Sequence, residues 1–444
     1  MTAVRGTGGR RARARGAAAV FACLLAAVPA AAQIFAEQEV LVRGFVSQGY
    51  LNTANNNYLV PRSVNGTAEF HETGLIVTAV PRDRLRVGIQ LMGRNFGDTG
   101  NDQVVLDWAF GDYRWKDELG LRAGKIKMPY GLYNEGRDVD LLRTTVFLPQ
   151  SVYDERMRDF MLAYEGAAAY GSVTLGGAGD LDYHLFGGTL NVADPSHGFW
   201  GESYAEAARE IEPEIARLAE QDLGLEPGSA EATFAFIRDP EVTFPWIYGG
   251  SVTWNPPVPG LRLGASAMQG RFNYRGEIIY DIALVDPVAH KAHLSSFSLD
   301  IDQTLRVDRI YSVSAEYLTG AWQFVAELGG TKIEGQKDAG YYVQTGYRFG
   351  KVVSAAATWS QYWADTEDRE GKIYEARGLP AYYAWQHDGT LSLRLDLTSH
   401  WLLKIEHHFL NGTAMAEYLG VARELEAPSS RRWGMLAAKT TFHF

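Results

Sequence analysis

The 444-residue sequence predicts an all-β chain: a transmembrane antiparallel β-barrel of about sixteen strands. Three observations predict it: apolar and polar residues alternate with period two along the chain, short turns and long loops take turns between the alternating segments, and aromatic residues gather near the expected strand ends. In a strand successive side chains point to opposite faces, so each segment has one apolar and one polar face. Lipid cannot hydrogen-bond a strand's backbone, so such a sheet in a membrane must close on itself, apolar faces outward. At about sixteen strands the interior is too wide for side chains to fill.

Met1 to Ala32 reads as a secretory signal peptide. Arg5, Arg10, Arg11, Arg13 and Arg15 form a positive start, Ala17 to Val28 an apolar core, and Ala30-Ala31-Ala32 a small-residue cleavage site. The only cysteine, Cys23, lies in that leader, so residues 33–444 hold no thiol for a disulfide or a metal. Those residues keep 37 basic and 53 acidic side chains, a net charge of −16, which argues against nucleic acid as a partner. No linker divides them, and no apolar run approaches the ~18 residues of a spanning helix.

The alternation is clean at several places. Leu85, Val87, Ile89 and Leu91 alternate with Arg86, Gly88 and Gln90, and Arg94 continues the polar row. Tyr311, Val313, Ala315 and Tyr317 alternate with Ser312, Ser314 and Glu316; Leu391 to Leu397 with Ser392, Arg394 and Asp396; Trp401, Leu403 and Ile405 with Lys404 and Glu406. Short turns fall at Pro81-Arg82-Asp83, Lys116 to Gly120, Gly176 to Asp180, Pro256 to Gly260, Thr319-Gly320, Phe349-Gly350 and Thr398-Ser399. Longer polar stretches lie between them, near Asn52 to Gly66, Gly97 to Asp102, Tyr130 to Arg158, Asn191 to Pro245, Arg275 to Arg306, Ile333 to Asp338, Trp363 to Tyr382 and Asn411 to Arg431. A soluble sandwich has no reason to sort its loops by length in this way; a membrane barrel does. Trp115, Tyr130, Trp246, Trp254, Trp322, Tyr341, Tyr342, Tyr362, Trp363, Tyr382, Tyr383, Trp401 and Trp433 are read as rim aromatics.

Two loops stand out. Gly124 to Met128 starts as a strand, Pro129-Tyr130-Gly131 breaks it, and a charged loop follows with an apolar knot, Val146, Phe147, Leu148 and Pro149, that gives it something to pack with. It is expected to fold into the barrel mouth as a constriction over 131–158, formed by Glu135, Arg137, Asp138, Asp140, Arg143, Arg156 and Arg158. The second is an acidic insert over 201–239, placed outside the cell. There Tyr204, Ala208, Ile211, Ile215 and Leu218 recur at helical spacing, and Pro213 is expected to split or kink the helix.

The last strand puts Leu436, Ala438, Thr440, Phe442 and Phe444 on one face and Lys439, Thr441 and His443 on the other. This resembles the C-terminal assembly signal of outer-membrane barrel proteins, which implies recognition by the barrel-assembly machinery. The run Gly124-Lys125-Ile126-Lys127-Met128-Pro129-Tyr130-Gly131-Leu132-Tyr133-Asn134-Glu135, with Arg137-Asp138-Val139, Leu148 to Tyr153 and Arg156, resembles the porin superfamily near its phosphate-selective-type and porin-like members. The resemblance implies a water-filled channel in the outer membrane of a Gram-negative bacterium, often a homotrimer, open to small hydrophilic solutes. It transfers no substrate. The polar faces offer Arg43, Arg86, Arg94, Lys125, Lys127, Arg348, Arg394 and Lys404 as basic lumen lining, with Asp107, Glu316, Glu327, Asp396 and Glu406 as acidic.

No Gly-x-Ser-x-Gly, His-Glu-x-x-His or phosphate-cradling glycine loop is present. His407 and His408 point to opposite faces and cannot share a metal, and Asp98 to Asp102 does not match a calcium-loop spacing, so no cofactor or metal is expected. An outer-membrane barrel enzyme of protease or lipase type, and a structural or adhesive barrel, are the rival readings. A plugged receptor is disfavoured because strands begin soon after Gln33.

Overall fold

The structure, a computed structural model, describes residues 40–444 except 61, 98–99, 101, 193–194, 196–197, 285–291 and 417–429. The leader, most of the loop from Asn411 to Arg431, and part of Asp98 to Asp102 lie outside the described residues.

Sixteen strands form one closed antiparallel barrel, each paired with its sequence neighbours and the last with the first. They are β1 (Val40–Ala54), β2 (Phe70–Arg82), β3 (Leu85–Phe96), β4 (Val104–Lys116), β5 (Leu119–Lys127), β6 (Ala163–Thr174), β7 (Asp180–Asn191) and β8 (Ala230–Asn255). The ring continues with β9 (Leu261–Leu284), β10 (Ala292–Thr319), β11 (Trp322–Ile333), β12 (Gln336–Phe349), β13 (Val353–Trp363), β14 (Trp385–Asp396), β15 (Trp401–Gly412) and β16 (Arg432–His443). Among the described residues the loops carry four helices: a single turn α1 (Arg158–Met161), then α2 (Gly198–Glu210), α3 (Glu212–Leu223) and the short α4 (Lys372–Ala376).

The period-two pattern sorts as physics requires. Val46, Val343, Trp359, Leu391, Phe409 and Phe442 are exposed on the outside, while Ser47, Gln90, Lys404, Lys439 and Thr441 point inward and are buried. Closure is completed at the very end of the chain, where Phe444 and Gly44 exchange two backbone hydrogen bonds of 3.0 Å. Each of the seven short turns falls between strands where the sequence places it.

Four readings need correction. The stretches 230–245, 275–284 and 292–306 are strand, not loop: β8, β9 and β10 run 26, 24 and 28 residues, about twice the length of their neighbours, and project past the rim. Their outer halves stand in water, so they lack the lipid-facing apolar row and read as polar. Ile333 to Asp338 is a two-residue hairpin turn, with Glu334 and Gly335 both at positive φ (48° and 89°). Tyr130, Tyr342 and Trp433 are buried inside rather than set at a rim. In the insert, Ala208 and Ile215 are buried against Ala230, Ile278, Tyr280 and Ile282, whereas Ile211 and Leu218 are exposed.

The insert does break at Ile211, with Pro213 in the first turn of α3, where no amide partner is needed. Before Thr243, β8 has no pairing with β7. There the Glu220 and Glu212 carboxylates accept the amides of Ala230 and Phe234, both at 2.9 Å, and so cover donors of an open sheet edge.

Candidate functional site

The chain between β5 and β6 crosses the barrel interior and is tied to walls on several sides. It leaves β5 at Met128. Gly131 follows at a positive φ of 58°, where an added Cβ would strike the Tyr153 hydroxyl. The Gly131 amide donates to the Ser312 hydroxyl (3.1 Å), and the Leu132 amide to Glu327 (2.8 Å). Glu327 also accepts from the hydroxyls of Tyr153 (2.7 Å) and Tyr342 (2.5 Å). At Gly340 of β12 the wall lacks a side chain, so the Ser151 backbone lies directly against it.

The far end of the loop is held by charge. Asp140 accepts from Arg143 (3.0 Å), Lys439 (2.8 Å) and the Thr441 hydroxyl (2.7 Å), while Lys404 donates to its backbone carbonyl (2.8 Å) and to that of Thr145 (2.9 Å). Burial pushes the Asp140 carboxyl up, but Lys404, Lys439 and Arg143 together outweigh burial and hold it well below 3.8. Glu406 receives the amides of Val146 (2.8 Å) and Phe147 (3.4 Å), and Arg394 donates to the carbonyls of Leu141 (2.6 Å) and Arg143 (3.2 Å). The apolar knot packs as its composition predicts, Phe147 stacking on Phe70 with ring centroids 5.2 Å apart.

A second cluster fixes the return limb. Arg158 and Lys127 bind Asp138 at 2.6 and 2.7 Å, Arg158 reaches Asp107 at 3.3 Å, and Arg94 and Arg137 bind Glu155 at 3.0 and 2.9 Å. Burial again raises Asp138 and Glu155, and the surrounding cations again outweigh it. Arg156 is clamped by Asp154 and donates to the Met415 carbonyl (3.1 Å).

The expected constriction charges therefore do something other than line a pore. Arg137, Asp138, Asp140 and Arg158 are buried, and Arg143 and Arg156 nearly so; each is spent on an ion pair. Only Glu135 meets water, its side chain 53% exposed and 3.8 Å from His184 Nδ1. Surrounding protein pushes its carboxyl up, against the pull of Arg122 and Lys127.

Of the expected lumen residues, Arg86 pairs with Asp112 (2.8 Å) and stays half-exposed, Arg348 pairs with Asp396 (3.1 Å), and Arg43 is exposed on the face of β1 that carries Phe45 and Ser47. Arg94, Lys127, Arg394 and Lys404 are taken up in holding the loop. Lys125 is misplaced by the sequence reading: its register with Ala109 and Glu165 puts it on the outer face, where its ammonium donates to the Leu106 carbonyl at 2.7 Å. The alternation is unbroken here, with Leu121, Ala123 and Lys125 sharing the outer face opposite Tyr113, Gly111 and Ala109; the sequence reading followed the charge of Lys125 and not its place in the row.

Two cavities lie on opposite sides of the span from Pro129 to Glu135. The lower one, ≈ 410 Å³ toward the tight-turn end, is lined by Pro129, Gly131, Glu135, Arg114, Arg122 and Arg262, among others. Arg122 sits between the rings of Phe110 and Tyr170, 4.5 and 4.9 Å from their centroids, and Arg262 reaches Glu316 at 2.6 Å. The sequence reading missed both arginines, although each stands between two apolar residues at period two. The upper cavity, ≈ 850 Å³, opens among the long loops over Tyr130, Asn134 and Tyr153.

Both ring nitrogens of buried His408 face carboxylates, Nδ1 to Asp388 (2.7 Å) and Nε2 to Glu406 (2.8 Å), so neither is left to act as a base. Among the described residues no group of three or more His, Cys, Asp or Glu could hold a metal.

No family model and no curated protein matches the sequence. Solved structures match its shape. OmpF of Salmonella typhi, solved in complex with daunomycin, aligns over 91% of this chain and 97% of its own at 9% identity and a TM-score of 0.52. OmpT expressed in the outer membrane of Vibrio cholerae aligns over 92% and 98% at 9% identity and 0.50. An anion-selective porin from Comamonas acidovorans aligns over 92% and 100% at 13% identity and 0.49. At such identities the likeness is one of fold alone, and that to the first two agrees with the strand count and the closure: the chain has the sixteen-stranded barrel fold of the outer-membrane porins.

Proposed function

We propose that this chain is a passive channel in the outer membrane of a Gram-negative bacterium, admitting small hydrophilic solutes and ions. The observation that carries the reading is the pair of cavities inside one closed wall, separated only by a loop segment from Pro129 to Glu135. A wall of sixteen strands encloses more space than side chains fill, and here a loop, not the barrel, decides how much stays open. Selection then falls to the groups that reach water: Glu135, Arg86, Arg114 and Arg262. Single-channel recording in planar bilayers tests this; a purified, folded barrel that gives no stepwise conductance at any applied voltage overturns it. An enzyme or an adhesive barrel should give none.

We further read the outer face around β4 to β6 as a contact between copies in a homotrimer. Lys125 and Glu165 stand opposite each other there among Ala109, Gly111, Ala123 and Ala167. Charges facing lipid cost a few kcal/mol each, roughly 2–4 for lysine at mid-membrane, and a covering protomer removes that cost. Ala123→Trp should shift the detergent-extracted protein to monomer in native mass spectrometry. The exposed Phe442 and Phe444 on β16 are the groups the assembly machinery would engage.

A further inference from the structure

We propose that the upper cavity is a binding station for organic anions that carry a flat ring, such as aromatic carboxylates. This rests on the channel reading above and names the solute class it favours. The station is built by two loops facing each other across the mouth. From α2 come Tyr204 and Arg209; from the loop carrying α4 come Tyr374, Arg377 and Tyr383, with Tyr362 at the end of β13 beside them. Its volume, ≈ 850 Å³, is that of a site for a ligand of a few tens of heavy atoms.

Two features fix the chemistry. Tyr204, Tyr362, Tyr374 and Tyr383 are all only partly buried, so ring surface remains open to the cavity. Tyr204 is backed by stacking on Tyr274, and Tyr383 by edge contacts with Tyr374 and Tyr382 at 6.2 and 5.4 Å, so their rings are held in place rather than swinging in solvent. Flat ligands gain on such pre-set surfaces.

The charge is the second feature. Of the carboxylates in the lining, Asp154 is bound by Arg156, Asp338 accepts the Thr331 amide at 3.1 Å, and Glu210 is exposed. Among the described residues neither Arg209 nor Arg377 pairs with a carboxylate; Arg209 lies over the Phe234 ring at 5.3 Å, and Arg377 is exposed. Two guanidinium groups without a carboxylate partner among the described residues, set beside open rings, favour a ligand with an anionic end and an aromatic body. A guanidinium binds a carboxylate through two parallel N–H groups, which an inorganic halide cannot use.

Benzoate, acetate and maltotriose at equal concentration in single-channel recordings test this. Benzoate should interrupt the current in resolvable blocks when added from the long-loop side, and acetate and maltotriose should not. Arg377→Gln and Tyr374→Leu, both on an exposed loop, should each weaken the benzoate block by about fivefold or more in channels that still conduct. A conducting channel that benzoate does not block, that acetate or maltotriose blocks equally, or whose benzoate block survives both substitutions, overturns the proposal and leaves the channel reading standing. Absence of conductance would instead remove the reading on which it rests.

Discussion

Asp140 is the residue on which the loop's far end turns. Buried and ringed by Lys404, Lys439, Arg143 and Thr441, it neutralises a cluster that would otherwise be three cations in contact. Removing one partner of such a buried set strands the rest, so Asp140→Asn should cost about 3–5 kcal/mol and expose the amides of Val146 and Phe147 to hydrogen exchange. The same residue sets an acid limit. Its carboxyl is held below 3.8 in the folded chain, so its contribution is full above that value and is lost as pH falls through the depressed one; loop protection should fade below pH 3.8 and not above it. Glu135 behaves in the opposite sense. Its carboxyl is raised above 4.5, so as pH drops towards that range from above it loses its charge first, and the channel should then shift towards anions in reversal-potential measurements. Glu135→Gln should remove that shift.

At the scale of elements, the inward loop was legible in the sequence because its apolar knot and its proline break mark it, but the work of its charges was not. Sequence shows that Arg137, Asp138, Asp140 and Arg158 are close along the chain; it does not show that Lys404, Lys439, Asp107 and Arg94 meet them from the wall. Those partners lie from 51 (Asp107 to Arg158) to 299 residues away (Lys439 to Asp140, 439 − 140), on strands whose registers nothing local specifies. Likewise β8 to β10 hid their outer halves because a strand in water on both faces has no lipid row to betray it. Deleting Asp138 to Gln150 should raise conductance by clearing one side of the barrel and shift ion preference towards anions, since Lys127, Arg158, Lys404 and Lys439 lose Asp138 and Asp140 as partners. The insert's function was legible only as helix. Its Glu220 and Glu212 side chains close the edge of β8, and replacing both with Ala should unprotect the amides of Ala230 and Phe234, at roughly 1–3 kcal/mol for each donor left bare.

For the whole molecule, period two in a lipid setting implied closure, while the strand count followed from the alternation of short turns with long loops. Lys125 marks where charge misleads: it stands on the outer face in unbroken register with Leu121 and Ala123, and its charge alone had assigned it to the lumen. The loop that starts at β5 and is fastened at β11, β12, β14, β15 and β16 also has a mechanical meaning. It is a strut laid across a hoop. A bare hoop of sixteen strands can be squeezed into an ellipse by lateral pressure from the bilayer; a strut anchored on opposite arcs resists that flattening, so the width of the passage should vary little between thin and thick membranes.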